Sequence, residues 1–452
     1  MVHSNSDLVA RMGLLILVLF VNLALVSTAS AEPPPPRNIL FIAIDDLRNW
    51  VHYGGDYEGI VHTPNIDALA AVSTRYLNAY ATVPQCVGSR TSVLMGLSPA
   101  THHITFSSWG IEPQYHAVYS NPTLLSLPQV MTLSGYHTAT TGKVFGIPLP
   151  DRWDEVGPDS EPLVCDFCPG PDNTFMAAEV LPDTEEHTDQ TVTNWVVDFI
   201  ENYDRSEPFF LAAGLYQPHV PWRVPQWAYD LYPIEDVVVS TPIANDLDDE
   251  PALAVQLATA QNPFTGLSQY EMVEYAGKAA EYTQAYLASI SHTDAMVGQL
   301  LAAVAASPFA STTDIILWSD HGYHLGEKFH WRKNTLWDQS VKVPLLVSAP
   351  GNANYPVGDV FTPVSLLDVA PTVLDLTGIT PFVQFEGVPL RDGASASPVE
   401  IYFNDGRALV RPRLGRKMID YDLTTAQGSV DRASYTLTDI HEETNIYTNI
   451  GC

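Results

Sequence analysis

Two pairs of adjacent residues able to bind a metal stand far apart in this sequence. Asp45 and Asp46 follow one apolar run, and Asp320 and His321 follow another. Adjacent carboxylates in apolar surroundings repel each other and lose solvation unless a cation compensates them. Oxygen-rich ligation favours Ca²⁺, and after it Mg²⁺, over Zn²⁺. The Asp-Asp pair therefore indicates either a divalent metal site or, as the simpler alternative, a helix cap or a solvated turn.

A second group of residues could bind an oxyanion. Residues 85–96 are typical of a loop that enters a helix, and a helix N-terminus attracts anions through its free N–H groups and its dipole. Arg90 would add a guanidinium group suited to a tetrahedral oxyanion. Cys86, at the start of the same segment, could be a small buried apolar side chain or a disulfide partner.

Lys143, His219 and Lys333 could contribute three further cationic donors. The chain has only six lysines against 52 acidic residues, so two lysines beside chemical motifs indicate a pocket that neutralises an anion. A solvated surface position, the commoner place for lysine, is the alternative for each. His324 and His330 are close to Lys333 in the sequence and could contact a substrate or support the fold. For His330 the structural role is favoured.

Apolar runs alternate with helical patterns along most of the chain, which predicts an α/β fold with a mostly parallel central sheet flanked by helices. Thr63 and Pro64 are an N-cap and a first-turn proline, and Gly135 is a helix stop signal. We predict strands over 39–44, 209–213, 315–318 and 343–347, and helices over 64–70, 124–134 and 282–306.

Chemically active residues follow the predicted strands at the points where they end. The two aspartates at 45–46 follow the first strand, His219 follows the second, and Asp320 follows the third. Lys143 comes directly after the polar run 138–142. Because ligands bind outside the carboxyl ends of the strands in open α/β sheets, we expect these four strand ends to converge on one site.

The composition narrows the class of protein. The chain has 452 residues, a formal charge of −31 and 46% hydrophobic residues. This is too apolar for a disordered chain, and it lacks the basic surplus that nucleic-acid binding requires. The length predicts two or three domains. The apolar pattern weakens beyond residue 377, so we predict a catalytic domain over 32–377 and a small C-terminal α+β subdomain over 378–452.

The N-terminus is typical of an exported protein. Arg11 precedes an apolar run at 14–26, and Ala29 and Ala31 fit a signal-peptidase site after Ala31. We therefore predict a signal peptide over 1–31 and a periplasmic or secreted location, with an uncleaved anchor as the alternative. No other run is long and apolar enough to span a bilayer, so no membrane span is expected after removal of the signal.

Export also makes disulfides possible. Cys165 and Cys168 form a single C-x-x-C pair, which is too few ligands for a structural zinc site. A local disulfide between them is the simpler interpretation. The pairing of Cys452, the last residue, is left open.

Several of these segments together resemble those of the type I, formylglycine-dependent sulfatases of the alkaline-phosphatase superfamily. The resemblance is closest to the iduronate-2-sulfatase-like bacterial branch and covers nearly the whole chain after residue 31. Its most specific segments are 209–219 and 319–327. The others are 38–48, 63–69, 86–96, 135–145, 286–300 and 364–378.

The resemblance implies a mechanism. Cys86 would be oxidised to formylglycine by a formylglycine-generating enzyme during export, and a hydroxyl of its hydrate would attack the sulfur of a sulfate ester. One Ca²⁺ would be held by the four residues Asp45, Asp46, Asp320 and His321, with the modified Cys86 as a further ligand. Arg90 would orient the nucleophile. Sulfate and the bridging oxygen would be bound by Lys143, His219 and Lys333, one of which would assist the leaving group.

The chain departs from the family pattern at two glycines. Gly88 occupies the position where the modification signal of the family has proline or alanine. Gly146 stands where many relatives have a histidine that acts as a base in sulfate elimination.

The sequence therefore supports three hypotheses about function. The first is hydrolysis of a sulfate ester on a carbohydrate, and the second is hydrolysis of a phosphate or phosphonate ester on the same scaffold. The third is non-catalytic binding of sulfated glycans with Cys86 unmodified. The acidic surface argues against wrapping a long sulfated polymer, and so favours a pocket for a chain end or an oligosaccharide.

Overall fold

The computed structural model describes residues 36–105, 112–159, 178–182, 184–262, 265–380, 382–391, 398–404, 406–411, 414–421, 431–436 and 442. The predicted signal peptide and the cysteines at 165, 168 and 452 lie outside these residues. The strands are β1 (Asn38–Ile44), β2 (Thr74–Tyr76), β3 (Ala79–Tyr80), β4 (His137–Gly142), β5 (Glu155–Val156), β6 (Ala178–Leu181), β7 (Phe209–Leu215), β8 (Trp222–Pro225), β9 (Thr313–Ser319), β10 (His324–Leu325), β11 (Trp331–Arg332), β12 (Lys342–Val343), β13 (Leu345–Ser348), β14 (Gly358–Val360), β15 (Val364–Ser365), β16 (Val399–Phe403), β17 (Gly406–Arg411), β18 (Arg416–Tyr421) and β19 (Asp431–Thr436).

Helices alternate with these strands along the chain. They are α1 (Pro64–Ala70), α2 (Cys86–Met95), α3 (Pro99–His102), α4 (Glu112–Tyr119), α5 (Leu127–Leu133), α6 (Thr188–Asn202), α7 (Gln226–Asp230), α8 (Ala252–Ala258), α9 (Gln269–Ala276), α10 (Ala279–Ala306), α11 (Asp338–Val341) and α12 (Val369–Leu376). Short 3₁₀ turns occur at Pro150–Arg152, Ile234–Asp236, Glu327–Phe329 and Leu366–Asp368. Among the described residues, no helix combines the length and the apolar character needed to cross a bilayer.

The main sheet has eight strands in the order β14-β2-β13-β9-β1-β7-β4-β5. Strands β9, β1, β7 and β4 are parallel neighbours, whereas β13 is antiparallel to both of its neighbours. The predicted α/β fold with a mostly parallel sheet is confirmed. Every residue of β1 is buried, as expected for a strand covered on both faces.

Helices cover both faces of this sheet. Alternate residues of β1 point to opposite faces: Leu40 and Ile42 pack with residues of α1, α6 and α10. Ile39 and Phe41 pack on the other side with residues of α2, α5 and α12. Helix α2, which begins at Cys86, is thereby fixed against the face of the sheet.

A smaller antiparallel sheet, β16-β17-β18-β19, follows near the C-terminus. Its apolar face packs against Ala254 and Ala258 of α8 and against Trp337 just before α11. Trp337 Nε1 also donates to Tyr435 Oη at 3.1 Å. The small C-terminal region of the predicted fold is therefore present, while the boundary at 377/378 stays a prediction.

Two predicted elements differ from the structure. The strand predicted over 343–347 is wrong as a single element, because Pro344 lacks an N–H donor and separates β12 from β13. The two halves join different sheets. The helix predicted over 124–134 begins only at Leu127, because Ser126 and Gln129 form a capping box at its start.

Candidate functional site

The site lies at the carboxyl ends of four neighbouring strands of the main sheet. Asp320 follows β9, Asp45 follows β1, His219 follows β7, and Lys143 follows β4. These strands are consecutive in the order β9-β1-β7-β4, so their ends are adjacent in space. The structure brings together the nine residues to which the resemblance assigns a role: Asp45, Asp46, Cys86, Arg90, Lys143, His219, Asp320, His321 and Lys333.

Asp46 occupies a strained turn that presents its carboxylate to the site. Its φ of 62° lies in the left-handed region, which aspartate tolerates better than most residues. Its N–H donates to Asp320 Oδ1 at 3.1 Å. The hydroxyl of Tyr286 on α10 donates to the Asp46 carbonyl at 2.7 Å and accepts from Arg48 N at 3.0 Å. The long helix α10 thus fixes the turn that joins β1 to the site.

Four side chains form a compact group of potential metal ligands. One donor atom from each of Asp45, Cys86, Asp320 and His321 lies within 4.8 Å of the others. Asp46 Oδ1 lies 3.3 Å from His321 Nε2. His321 Nδ1 donates to Gly322 O at 2.9 Å, which leaves a lone pair on Nε2.

The polar atoms of this group fit a hard divalent cation. Both carboxylate oxygens of Asp45 and Oδ2 of Asp46 are buried and accept no well-aligned hydrogen bond from the described residues, although Lys143 and Arg90 form ion pairs with Asp45. Burial raises the pKa of Asp46, and the positive charge of Lys333 only partly opposes this. Buried carboxylate oxygens with vacant acceptor positions can bind a cation, and the oxygen-rich donor set agrees with Ca²⁺.

Cys86 is the first residue of α2 and lies beside the metal-ligand group. Its thiol is free, and Sγ lies 3.3 Å from His321 Nε2 and 3.2 Å from Lys333 Nζ. Burial, reinforced by the charge of Asp45, raises the pKa of this thiol well above its usual value. The unmodified side chain is therefore a neutral thiol and a weak nucleophile.

Arg90 joins the helix to the two strand ends. Its Nε donates to Asp320 Oδ2 at 2.8 Å, and its Nη2 lies 3.5 Å from Asp45 Oδ1. Its Nη1 donates to the carbonyl of Lys143. Although burial disfavours the charged form, the two carboxylates raise the pKa of Arg90 above its ordinary value. This fully buried guanidinium fixes the carboxylates in place.

Two lysines complete the ring of charges. Lys143 Nζ lies 2.9 Å from Asp45 Oδ2, and Lys333 Nζ lies 2.7 Å from Asp46 Oδ1. Both are buried, so the alternative of solvated surface lysines is wrong. Burial would raise the pKa of Asp45, but Lys143, with Arg90 and Lys333, outweighs it and holds that pKa well below the usual range.

His219 is neutral in this arrangement. Its Nδ1 donates to Val220 O at 2.6 Å, and its Nε2 lies 3.9 Å from Asp46 Oδ2. Burial, together with the nearby charge of Lys333, lowers the pKa of His219 well below its ordinary value. Its Nε2 lone pair therefore faces the site.

The two glycines that depart from the family pattern both lie against neighbouring atoms. A Cβ on Gly88 would overlap the carbonyl oxygen of Ile104 and would lie 3.0 Å from the methyl groups of Val83. A Cβ on Gly146 would lie 2.6 Å from Val87 Cα. The first turn of α2 and the segment after Lys143 are thus packed too closely for side chains at these positions.

The other two histidines are engaged by neighbouring groups. Both ring nitrogens of His330 lie 2.9 Å from backbone carbonyl oxygens, those of Ala258 and Lys333. His324 Nε2 lies 2.8 Å from Thr335 Oγ1. These contacts agree with the structural role favoured for His330.

The sequence did not reveal the hydrogen bonds of the Tyr286 hydroxyl or the hydrogen bond between Gln85 and Asn334. Tyr286 was predicted only as an apolar position of a helix, because the sequence near a buried tyrosine does not show which group its hydroxyl contacts. Gln85 Nε2 donates to Asn334 Oδ1 at 3.0 Å. This bond ties the residue before Cys86 to the residue after Lys333, and only the tertiary contact reveals it.

Comparison with known proteins agrees with this geometry. The sulfatase family model matches residues 37–379, which is most of the chain. The chain belongs to the sulfatase family. The predicted resemblance to the sulfatases is confirmed.

Individual relatives support the same assignment. A sulfatase of Formosa agariphila is 33% identical over 380 residues, which are 78% of this chain and 71% of that protein. Human iduronate 2-sulfatase is 33% identical over 344 residues, 70% of this chain and 60% of the human protein. The family and its named members make this sulfatase a sulfuric ester hydrolase.

Solved structures share the fold. A protein determined with its substrate D-glucosamine-2-N,6-O-disulfate has a TM-score of 0.68 at 19% identity, covering 91% of this chain and 93% of that one. The phosphonate monoester hydrolase of Agrobacterium radiobacter has a TM-score of 0.70 at 18% identity, covering 92% of both chains. At these identities the likeness concerns the fold.

Proposed function

We propose that this sulfatase hydrolyses sulfate esters of carbohydrates, with formylglycine derived from Cys86 and one Ca²⁺ ion as its cofactors. The observation that carries the proposal is the position of Cys86. Its Sγ lies at the start of α2, in one group with Asp45, Asp320 and His321, and 3.2 Å from Lys333 Nζ. A nucleophile at this point would face both a metal ion and a cationic donor.

The calcium ion would be held by Asp45, Asp46, Asp320 and His321, with the modified residue 86 as a further ligand. When bound, it would supply a positive charge that activates an oxygen nucleophile and balances the charge of sulfate. Arg90 forms ion pairs with Asp45 and Asp320 and so holds both carboxylates in position. Their positions then do not depend on the ion alone.

The chain's own cations would bind the sulfate group. Lys143 and Lys333 are charged, buried and directed at the carboxylate cluster, so they can donate hydrogen bonds to sulfate oxygens that develop charge. Neutral His219 has a lone pair on Nε2, so it could take up a proton there. We infer that His219 takes part in proton transfer at the bridging oxygen, while the lysines stabilise charge.

A carbohydrate is the substrate class best supported by the relatives. They include iduronate 2-sulfatase and an N-acetylglucosamine-6-O-sulfatase of Bacteroides thetaiotaomicron. The net charge of −31 would repel a long polyanion, so a chain end or an oligosaccharide fits better. Export to the periplasm or medium, after maturation by a formylglycine-generating enzyme, agrees with the N-terminal sequence.

The proposal is tested by the mass of the peptide that spans Cys86, from protein made in a host able to modify sulfatases. We expect the aldehyde form, and we expect release of sulfate from one or more of a panel of sulfated mono- and oligosaccharides. Cys86→Ala should lower kcat by at least about 10³-fold while leaving the melting temperature nearly unchanged.

Each contrary outcome points to one alternative. An unmodified thiol, with binding of sulfated sugars but no turnover, would make the chain a glycan-binding protein. Faster hydrolysis of phosphonate or phosphate monoesters than of every sulfated sugar would assign the site to that chemistry. Near-normal activity of Cys86→Ala would remove Cys86 from the mechanism altogether.

A further inference from the structure

A second group of metal-binding residue types lies behind the turn that carries His219. It consists of His187 and Asp189 at the start of α6 and His292 on α10, all buried. One donor atom of each lies within 4.8 Å of the others. The rings of the two histidines have centroids 4.4 Å apart. None of these residues belongs to the proposed calcium site.

Two buried polar atoms at this place lack partners among the described residues. Nδ1 of His292 is buried without a hydrogen bond. Oε1 of Gln217 is also buried without one, and the other end of the same amide lies 3.4 Å from His187 Nε2. Unpartnered buried polar atoms cost stability unless a water or an ion satisfies them.

The carboxylate of Asp189 is buried and has no arginine or lysine ion pair in the described part of the chain. It accepts the N–H groups of Tyr216 at 2.7 Å and Gln217 at 2.9 Å. A negative charge fully removed from water, held only by neutral donors, favours a cation beside it.

We propose that His187, Asp189 and His292 bind a divalent first-row transition ion, for which Zn²⁺ is the natural occupant. Two imidazoles and one carboxylate form a donor set that suits zinc rather than calcium. His187 Nδ1 accepts the N–H of Asp189 and so has a lone pair, and His292 Nδ1 has no hydrogen-bond partner among the described residues. Gln217 Oε1 or a water would complete a tetrahedron.

The distance between His187 and Asp189 requires only a small adjustment. His187 Nδ1 lies 3.9 Å from Asp189 Oδ2. Two ligands of a tetrahedral zinc ion, each about 2.0–2.1 Å from the metal, stand about 3.4 Å apart. His187 Nδ1 now accepts the N–H of Asp189 at 3.0 Å, so binding would exchange this hydrogen bond for a metal–ligand bond.

The position indicates a structural role for the ion. Asp189 holds the backbone of Tyr216 and Gln217, directly before His219, and the Thr293 hydroxyl donates to the Gln217 carbonyl at 3.0 Å. An ion here would fix α6 and α10 against the turn that delivers His219. It would therefore stabilise the fold without contacting the substrate.

The test uses the whole protein and Zn²⁺ or Co²⁺ as probes. We expect about one zinc per chain to survive dialysis, a melting temperature raised by about 2–5 °C with excess Zn²⁺, and a visible Co²⁺ spectrum typical of nitrogen and oxygen ligands. His292→Phe should abolish all three effects. His137→Phe, which removes another buried imidazole, and His321→Ala, which removes a proposed calcium ligand, should retain them.

The zinc content and the melting temperature of the wild-type protein test the proposal even if a variant fails to fold. Absence of retained zinc, together with a melting temperature unaffected by Zn²⁺, would overturn the proposal and leave a buried water as the occupant. Loss of the Co²⁺ spectrum in His321→Ala but not in His292→Phe would place the ion in the other site. Neither result bears on sulfate hydrolysis, which is measured separately.

Discussion

At the level of single residues, the two glycines that depart from the family pattern lie close together, because Gly146 packs against Val87, the residue before Gly88. Gly88 is packed against the carbonyl of Ile104, and Gly146 against the backbone of Val87. Val87 stands between Cys86 and Gly88 in the first turn of α2. The family histidine has no space at position 146, because the turn that carries Cys86 lies directly against that position. In the proposed mechanism another group would have to act in sulfate elimination, and the neutral imidazole of His219 is a candidate.

The change Gly88→Ala would restore a residue usual in the modification signal, yet we expect it to harm this chain. The added methyl group meets a backbone carbonyl that cannot move as a side chain would. Overpacking of this kind costs about 1–3 kcal/mol, so thermal unfolding should shift to a lower temperature.

Ser89→Ala is the matched control for this substitution. Ser89 lies on the same turn, and its Oγ is buried without a partner among the described residues. Removal of that hydroxyl should leave the melting temperature unchanged or slightly higher. If Gly88→Ala is as stable as wild type, the backbone at Ile104 can move to make room for the added methyl group, which would contradict this prediction.

At the level of elements, the turn before α12 contains a buried acid. Asp368 accepts from Val388 N at 2.9 Å and from Ser365 N at 3.3 Å. Burial raises the pKa of Asp368 from 3.8 to about 6, although these bonds oppose the rise. A raised carboxyl pKa means that the contribution to stability is complete below pH 3.8 and is lost as pH rises to about 6.

Asp368→Asn should therefore remove most of that pH dependence. The difference corresponds to about 2 kcal/mol between pH 4 and pH 7. In thermal unfolding, we expect the melting temperature of Asp368→Asn, relative to that of wild type, to be higher at pH 7 than at pH 4.5.

Asp375 on α12 is a control, because its pKa is shifted in the opposite direction to that of Asp368. Burial would raise the pKa of Asp375, but hydrogen bonds from Arg391 and Tyr355 outweigh it and hold that pKa below its usual value. The melting temperature of Asp375→Asn, relative to that of wild type, should therefore be lower at pH 7 than at low pH. Equal pH slopes for both variants would contradict the assignment of Asp368.

At the level of the whole molecule, the proposed calcium ion joins segments that are distant in sequence. It would bring together the ends of β1 and β9 and the start of α2, which Arg90 and Lys333 already hold near each other. The C-terminal part also supports this centre, since Gln384 Nε2 donates to Met95 O at the end of α2.

Removal of calcium by a selective chelator should lower the melting temperature and abolish activity together. A ligand present at 100 times its Kd stabilises by about 2.7 kcal/mol, so the expected shift is several degrees. Asp46→Asn should no longer respond to calcium. Asp314→Asn, which removes a buried carboxylate paired with Arg37 at the opposite end of β9, should respond as wild type does. Full activity after chelation would exclude the metal role.

The sequence alone determined much of this protein. Apolar runs are local features, so the strands at 39–44, 209–213 and 315–318 were predicted within one or two residues of each boundary. The position of polar residues after these strands predicted their convergence, because parallel strands place their carboxyl ends at one edge. The motif segments indicated the family.

The tertiary structure alone decided the rest. Whether Gly88 and Gly146 leave room for side chains depends on Ile104 and Val87, which no local pattern connects to them. The division at Pro344 depends on which sheet each half joins. The cluster of His187, Asp189 and His292 exists only because α6 packs on α10. Contacts between remote segments depend on packing geometry, and sequence spacing does not encode that geometry in readable form.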